Sequence, residues 1–424
     1  MSDDAAPVTR AWVLHPDIKS NADRREPVFA LEEAVALARA LPELEVVGSE
    51  IVNLAQPRAG LLFGSGKIEE IGERLKAAEV DLVLVDGPVT PVQQRNLERE
   101  WKIKLLDRTG LILEIFSDRA ATREGVLQVE MAALSYQRTR LVRAWTHLER
   151  QRGGLGFVGG PGETQIEADR RAIDTQLVRL RRQLEKVVKT RALHRAARAK
   201  VPYPIVALVG YTNAGKSTLF NRLTGANVMA KDMLFATLDP TMRRVELPDG
   251  PEVILSDTVG FISALPTELV ASFRATLEEV LAADIVLHVR DISHPETEAQ
   301  AEDVRAILDD LGVEETRAQF EVWNKLDLLD EAAASPVRVQ AERAENVFAI
   351  SAVTGEGLGP LLDIVAEVLQ GESIEEAMQL SFAQGRQRAW LFEHDLVLEE
   401  TQTETGFDLK VRWSAKDRAR FEGL

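Results

Sequence analysis

The chain has no cysteine, which excludes disulfides, thiolate-held zinc or iron–sulfur centres and a Cys nucleophile. Histidine is scarce too: His15, His147, His194, His288, His294 and His394 show no HExxH or paired-ligand spacing, so no histidine metal site is expected. No apolar stretch approaches the roughly 18 residues that a membrane-spanning helix needs. The opening MSDDAAPVTR carries acids where a secretory leader has a basic and then an apolar region. A soluble, cytoplasmic protein without an integral membrane segment is expected. What is there is ordinary globular composition, 45% apolar and 28% charged over 424 residues, enough for about three domains at roughly 150 residues each.

Positive charge is in deficit, with 51 Lys and Arg against 68 Asp and Glu and a formal net charge of −17. That argues against a general nucleic-acid coat, and no DNA partner is expected. The deficit is uneven: from Arg138 to Lys200 there are 16 basic and 6 acidic residues. In and just before this basic segment the apolar residues recur at spacings of 4 and 3, as Leu127, Met131, Leu134, Leu141, Trp145 and Leu148. A second seam runs Ile166, Ile173, Leu177, Leu180, Leu184 and Val187. Two heptad seams on either side of a stretch with six glycines, residues 151–163, predict an antiparallel helical hairpin. Each arm would be about 30 Å or longer, with the glycine loop at its tip. The plainer alternative is a flexible linker with solvated basic faces.

Around this arm the chain divides further. Residues 1–110 alternate short apolar runs with helical patterns, which predicts an α/β domain with a largely parallel sheet. Within it Gly64, Gly66 and Lys67 lack the earlier glycine of a phosphate loop and read as a turn into a helix. The arm takes 111–200, a nucleotide-binding domain with helices on both faces of a mostly parallel sheet takes 201–372, and a small α/β domain takes 373–424. The expected fold is thus a multidomain α/β protein with a helical arm.

Strand IVALV runs into Gly210-Tyr211-Thr212-Asn213-Ala214-Gly215-Lys216-Ser217 and then the helical TLFNRLTG, the context a phosphate-binding P-loop requires. The glycines let backbone N–H groups curl around phosphate oxygens, Lys216 brings a point charge to the outer phosphates, and the Ser217 hydroxyl suits Mg2+. Asn324-Lys325-Leu326-Asp327 selects the base. An Asp327 carboxylate accepts from both the N1–H and the exocyclic amine of guanine, donors that adenine does not present in that pattern. Lys325 lies along the base, Asn324 ties its loop to the P-loop, and Ser351-Ala352 bring a backbone N–H to the guanine carbonyl. Asp257-Thr258-Val259-Gly260 forms a second switch, in which Asp257 holds a Mg2+ water and the Gly260 N–H senses the γ-phosphate. Upstream, Phe235-Ala236-Thr237-Leu238-Asp239 offers Thr237 as the other hydroxyl ligand of Mg2+, with Thr241 as a competing candidate. Lys216, Thr237, Gly260 and Asn213 make up the expected catalytic set for hydrolysis of GTP to GDP and phosphate.

Taken with these motifs, LERQRGG at 148–154 and GPGETQIEADRR at 160–171 give a chain that resembles the HflX-type ribosome-associated GTPases. That resemblance implies a GTP-switched protein binding the large ribosomal subunit, its glycine loop near ribosomal RNA, that separates or recycles ribosomes under stress. Where many relatives carry an Arg before GPGE, this chain reads Phe157-Val158-Gly159-Gly160, leaving Arg150 and Arg152 at the loop's base for phosphate contact. Phe261 stands where many GTPases carry a water-orienting Gln, so slow intrinsic hydrolysis, stimulated by the ribosome, is expected. Asn213 is placed like the P-loop Asn of relatives that hold K+; bracing the loop is its alternative role. A monomer is expected. A competing function is a nucleotide-independent RNA-binding chaperone or scaffold with a structural G domain. A GTPase acting on transfer RNA or membranes ranks lower, because no further catalytic domain or anchor is evident.

Overall fold

A computed structural model describes residues 8–21, 24–151, 161–198, 203–226, 234–235, 237–238, 241–248, 250–263, 280–313, 318–370, 373–394, 396–414, 417–418 and 421, with side-chain surroundings for all but 141–166 and 191–198. The first sheet contains β1 (Thr9–Ile18), β2 (Leu44–Leu54), β3 (Leu82–Val85) and β4 (Lys104–Asp107). Its order is β2-β1-β3-β4, parallel throughout. The connections carry α1 (Pro27–Arg39), α2 (Ser65–Ala77) and α3 (Pro91–Trp101), and β4 leads directly into α4 (Arg108–Arg119). Gly64 is the N-cap of α2, and Lys67 in its first turn pairs with Glu70 at 3.1 Å. Asp107 caps α4 by accepting from the Gly110 N–H at 2.9 Å, which satisfies an otherwise orphaned donor of the first turn.

The arm consists of α5 (Arg123–Gln151) and α6 (Pro161–Arg198). Leu177 and Leu180 of its second seam are buried, and so is Leu127 of the first. Arg138 of α5 pairs with Asp174 of α6 at 2.7 Å; the two lie equally far in sequence from the middle of the connection, as an antiparallel hairpin demands. Leu141, Trp145, Leu148 and Ile166 fall outside the residues whose surroundings are described, as does most of the predicted tip loop.

The second sheet is built from β5 (Ile205–Gly210), β6 (Thr241–Glu246), β7 (Glu252–Asp257), β8 (Ile285–Asp291), β9 (Ala318–Asn324) and β10 (Val347–Ala349). Its order is β10-β9-β8-β5-β7-β6, with only the edge pair β6–β7 antiparallel. β5 and β8 read as unbroken apolar runs because both faces of a parallel sheet are covered. Helix α7 (Lys216–Thr224) follows β5. The last sheet, β11 (Ser373–Ser381), β12 (Val397–Gln402) and β13 (Gly406–Ser414), is antiparallel in the order β11-β13-β12. Glu375 of β11 pairs with Arg412 and Lys410 of β13. No helix among the described residues is long and apolar enough to cross a membrane.

The first two sheets are not independent beads. Val13, Leu37, Ile112 and Phe116 belong to the same buried apolar cluster as Val209, Tyr211, Phe235, Val259 and Phe261.

Candidate functional site

The P-loop leaves β5 at Gly210 and enters α7 at Lys216. Gly215 sits at φ +94°, and a Cβ there would fall 2.2 Å from the Asn324 amide nitrogen, so both conformation and space require glycine. Lys216 is buried and donates to the carbonyls of Gly210 and Tyr211 at 3.0 and 2.8 Å. Burial pushes its ammonium down to about 8, with the charge of Asp257 opposing the shift. Thr212, Ala214 and Tyr211 are buried, whereas Asn213 is exposed at the turn with φ 61°.

Opposite this loop, β7 ends at the fully buried Asp257. Its Oδ2 accepts from Ser217 at 2.7 Å and from Thr237 at 2.9 Å, and the two hydroxyls lie 2.9 Å apart. Thr237 therefore reaches this point, while Thr241 opens β6 in register with Asp257. Asp257 Oδ1 is buried and has no partner among the described residues, and burial pushes the carboxyl up from its ordinary value. One carboxylate and two hydroxyls, with phosphate oxygens supplying further ligands, form a donor set that fits Mg2+.

The next residues turn back on the P-loop. Phe261 N–H donates to Gly210 O at 3.1 Å and Thr212 N–H to Phe261 O at 2.7 Å. A Cβ on Gly260 would lie 2.8 Å from Thr212 Cγ2 and 3.0 Å from Lys216 Nζ, so only glycine lets the second switch approach so closely. Thr258 donates to Leu208 O at 2.6 Å, and Val259 is buried beside it. Leu238 and Phe235 are buried too; Phe235 holds φ 56°. Ala236 and Asp239 lie outside the described residues.

Asn324 bridges two loops, donating to Ala214 O and accepting from Ala352 N–H, each at 2.9 Å. Asp327 accepts from the Ser351 hydroxyl at 2.5 Å, Lys325 pairs with Asp291 at 2.8 Å, and Leu326 is buried. The structure thus brings Asn324, Asp327, Ser351 and Ala352 together. Within the Ser351-Ala352 pair the Ala352 N–H donates to Asn324, and the Ser351 N–H donates to Glu356 O at 3.0 Å.

Sequence reading missed the residues that hold this site from outside. Arg222 of α7 donates to the carbonyls of Val353 and Thr354 at 3.1 and 3.0 Å and so fixes the loop after Ser351. Tyr211 OH accepts from Ser263 N–H at 2.7 Å and from Arg25 at 3.2 Å, and pairs with Glu33. Burial raises the Glu33 carboxyl, but Arg108 and Arg25 beside it hold it below its ordinary value. Tyr211 lies in the P-loop run, but no local motif marks Arg222, Arg25, Glu33, Arg108 or Ser263.

Four family models match in succession: "GTP-binding GTPase N-terminal" at 29–117, "GTP-binding GTPase Middle Region" at 119–198, "50S ribosome-binding GTPase" at 205–325 and "HflX C-terminal domain" at 336–423. The GTPase HflX of Magnetococcus marinus is 47% identical over 411 residues, spanning 97% of this chain and 93% of its own. That of Escherichia coli is 44% identical over 365 residues, 86% of this chain and 85% of its own. A solved GTP-binding protein of Sulfolobus solfataricus in complex with GDP is 23% identical, with a TM-score of 0.44 over 84% of this chain and 97% of its own.

Proposed function

The chain belongs to the HflX family of GTPases, and we propose that it uses GTP hydrolysis as a switch on the large ribosomal subunit, separating or recycling ribosomes under stress. The observation that carries this reading is the meeting of Ser217, Thr237 and Asp257. Two switch segments and the P-loop converge on one point, so a ligand bound there would contact both segments at once. In this reading Lys216 and the backbone N–H groups of residues 210–217 would hold the phosphates, and Ser217 and Thr237 would hold Mg2+, which would supply positive charge to them. Gly260 N–H faces the γ-phosphate, while Asp327 reads guanine. Phe261 is buried in the apolar cluster and cannot orient a water, so the intrinsic reaction is slow and the ribosome accelerates it.

The arm carries the basic charge and engages ribosomal RNA; the protein acts as a cytoplasmic monomer. K+ beside the exposed Asn213 supplies positive charge to the transferring phosphate. Turnover is then higher in K+ than in Na+ and the difference disappears in Asn213→Ala; equal turnover in both salts removes the K+ site. The switch as a whole is tested by pelleting the protein with 50S subunits. A ligand shifts an equilibrium only through differential affinity, so a non-hydrolysable GTP analogue must bind the protein to 50S more tightly than GDP does. Equal binding favours the nucleotide-independent scaffold.

A further inference from the structure

One helix of the N-terminal domain touches both switches and the arm. Arg108, the first residue of α4, donates to the Ser263 carbonyl at 3.0 Å and hydroxyl at 3.1 Å, two residues beyond Phe261. The same guanidinium holds Glu33 at 2.5 Å and Asp86 at 2.6 Å, and Glu33 accepts from the Ser263 hydroxyl at 3.0 Å. Two turns along α4, Phe116 meets Phe235 edge to face with ring centroids 4.6 Å apart. Phe235 precedes Thr237 by two residues and holds a positive φ, costly for a bulky side chain; the ring contact on α4 retains it there.

The other end of the connection begins one residue earlier. Asp107, the N-cap of α4, accepts from Tyr136 OH at 2.5 Å and from Arg140 at 3.0 Å, both on α5. Arg140 is held in turn by Gln94 of α3. Neighbouring residues 107 and 108 thus grip the arm and the second switch respectively.

We infer that α4 transmits the nucleotide state of both switches to the arm, with Arg108 and Asp107 as positioning residues. This rests on the GTP-switch reading above. A γ-phosphate that draws Gly260 and Thr237 inward moves Ser263 and Phe235 with them. Their partners on α4 follow, and the Asp107 link carries the movement to the base of α5. By reciprocity, an arm held by a partner biases the switches through the same contacts.

The absence of native cysteine lets spin labels be placed at Arg181→Cys on the exposed face of α6 and Glu367→Cys on the nucleotide-binding domain. Pulsed EPR of the full chain should show an arm-to-domain distance that differs by at least about 2 Å between GDP and a GTP analogue. Asp107→Asn, which keeps a good N-cap but gives up the charge facing Arg140, should abolish the difference. Tyr136→Phe, which removes one hydroxyl, should reduce it, and Arg140→Lys should retain more of it than Arg140→Gln. GTP affinity should stay within about twofold while 50S-stimulated hydrolysis in Asp107→Asn falls about tenfold, within the range of coupling energies. No distance change in the parent, or the same change in parent and in both Asp107→Asn and Tyr136→Phe, overturns the relay. These outcomes are distinguishable from the pelleting result, because pelleting reads nucleotide-dependent affinity for 50S and the label distance reads movement of the arm without ribosomes.

Discussion

Lys216 is shielded from solvent, and this burial, opposed by the charge of Asp257, pushes its ammonium down to about 8 from its ordinary 10.5. Phosphates restore the charged form. The sign follows: above about pH 8 nucleotide binding takes up a proton, and affinity falls as pH rises further. Calorimetry of GDP binding at about pH 9 in buffers of different ionisation enthalpy should detect that uptake in the parent and not in Lys216→Gln; identical heats after buffer correction in both would place the proton elsewhere. Asp327 supports a separate expectation. Asp327→Asn can donate where the carboxylate only accepts, so guanine nucleotides should bind at least about tenfold more weakly and xanthine nucleotides more tightly. Unaltered GTP titration would mean that the base is read by other groups.

Among the elements, α6 carries the arm's basic surface into the described region. Arg179, Arg182 and Lys186 line one open groove along it with Thr175, and all four are exposed. Arg150 and Arg152, nearer the tip, lie outside the residues whose surroundings are described. Each lost phosphate contact removes about one released counterion. Arg179→Glu with Arg182→Glu should therefore weaken 50S binding and flatten its log–log salt dependence by about two, leaving intrinsic hydrolysis unchanged. An unaltered salt slope would mean that this face of α6 meets water on the ribosome.

At the scale of the whole molecule, the shared apolar cluster, the Arg25–Glu296 ion pair and the Arg108–Ser263 hydrogen bonds bind the N-terminal sheet to the nucleotide-binding domain. Removing one member of a buried pair strands its partner's charge, and removing an aromatic ring leaves a cavity. Phe116→Ala should cost about 3–5 kcal/mol. It should also lower protection of amides on both β1 and β5 in hydrogen exchange. Loss of protection confined to β1 would show that the two units open independently.

Much of this was determined by sequence alone. The P-loop, the DTVG run at 257–260 and the NKLD run at 324–327 are consecutive residues, so the roles proposed for them rest on local chemistry. The parallel sheets and the arm were legible for a related reason, since unbroken apolar runs mark strands covered on both faces and heptad spacing marks the covered face of a helix. Other features were decided only by the tertiary structure. Thr237 is brought within hydrogen-bond reach of Asp257 and Ser217 only by the packing of separate segments. The Ala352 amide is engaged because Asn324 reaches it from another loop. Arg108 and Ser263, 155 residues apart, meet with Glu33 and Tyr211 because two sheets dock. An ion pair between separate elements leaves no periodic trace in either one, so the contacts that join the switches to the arm could be read only after the domains were packed together.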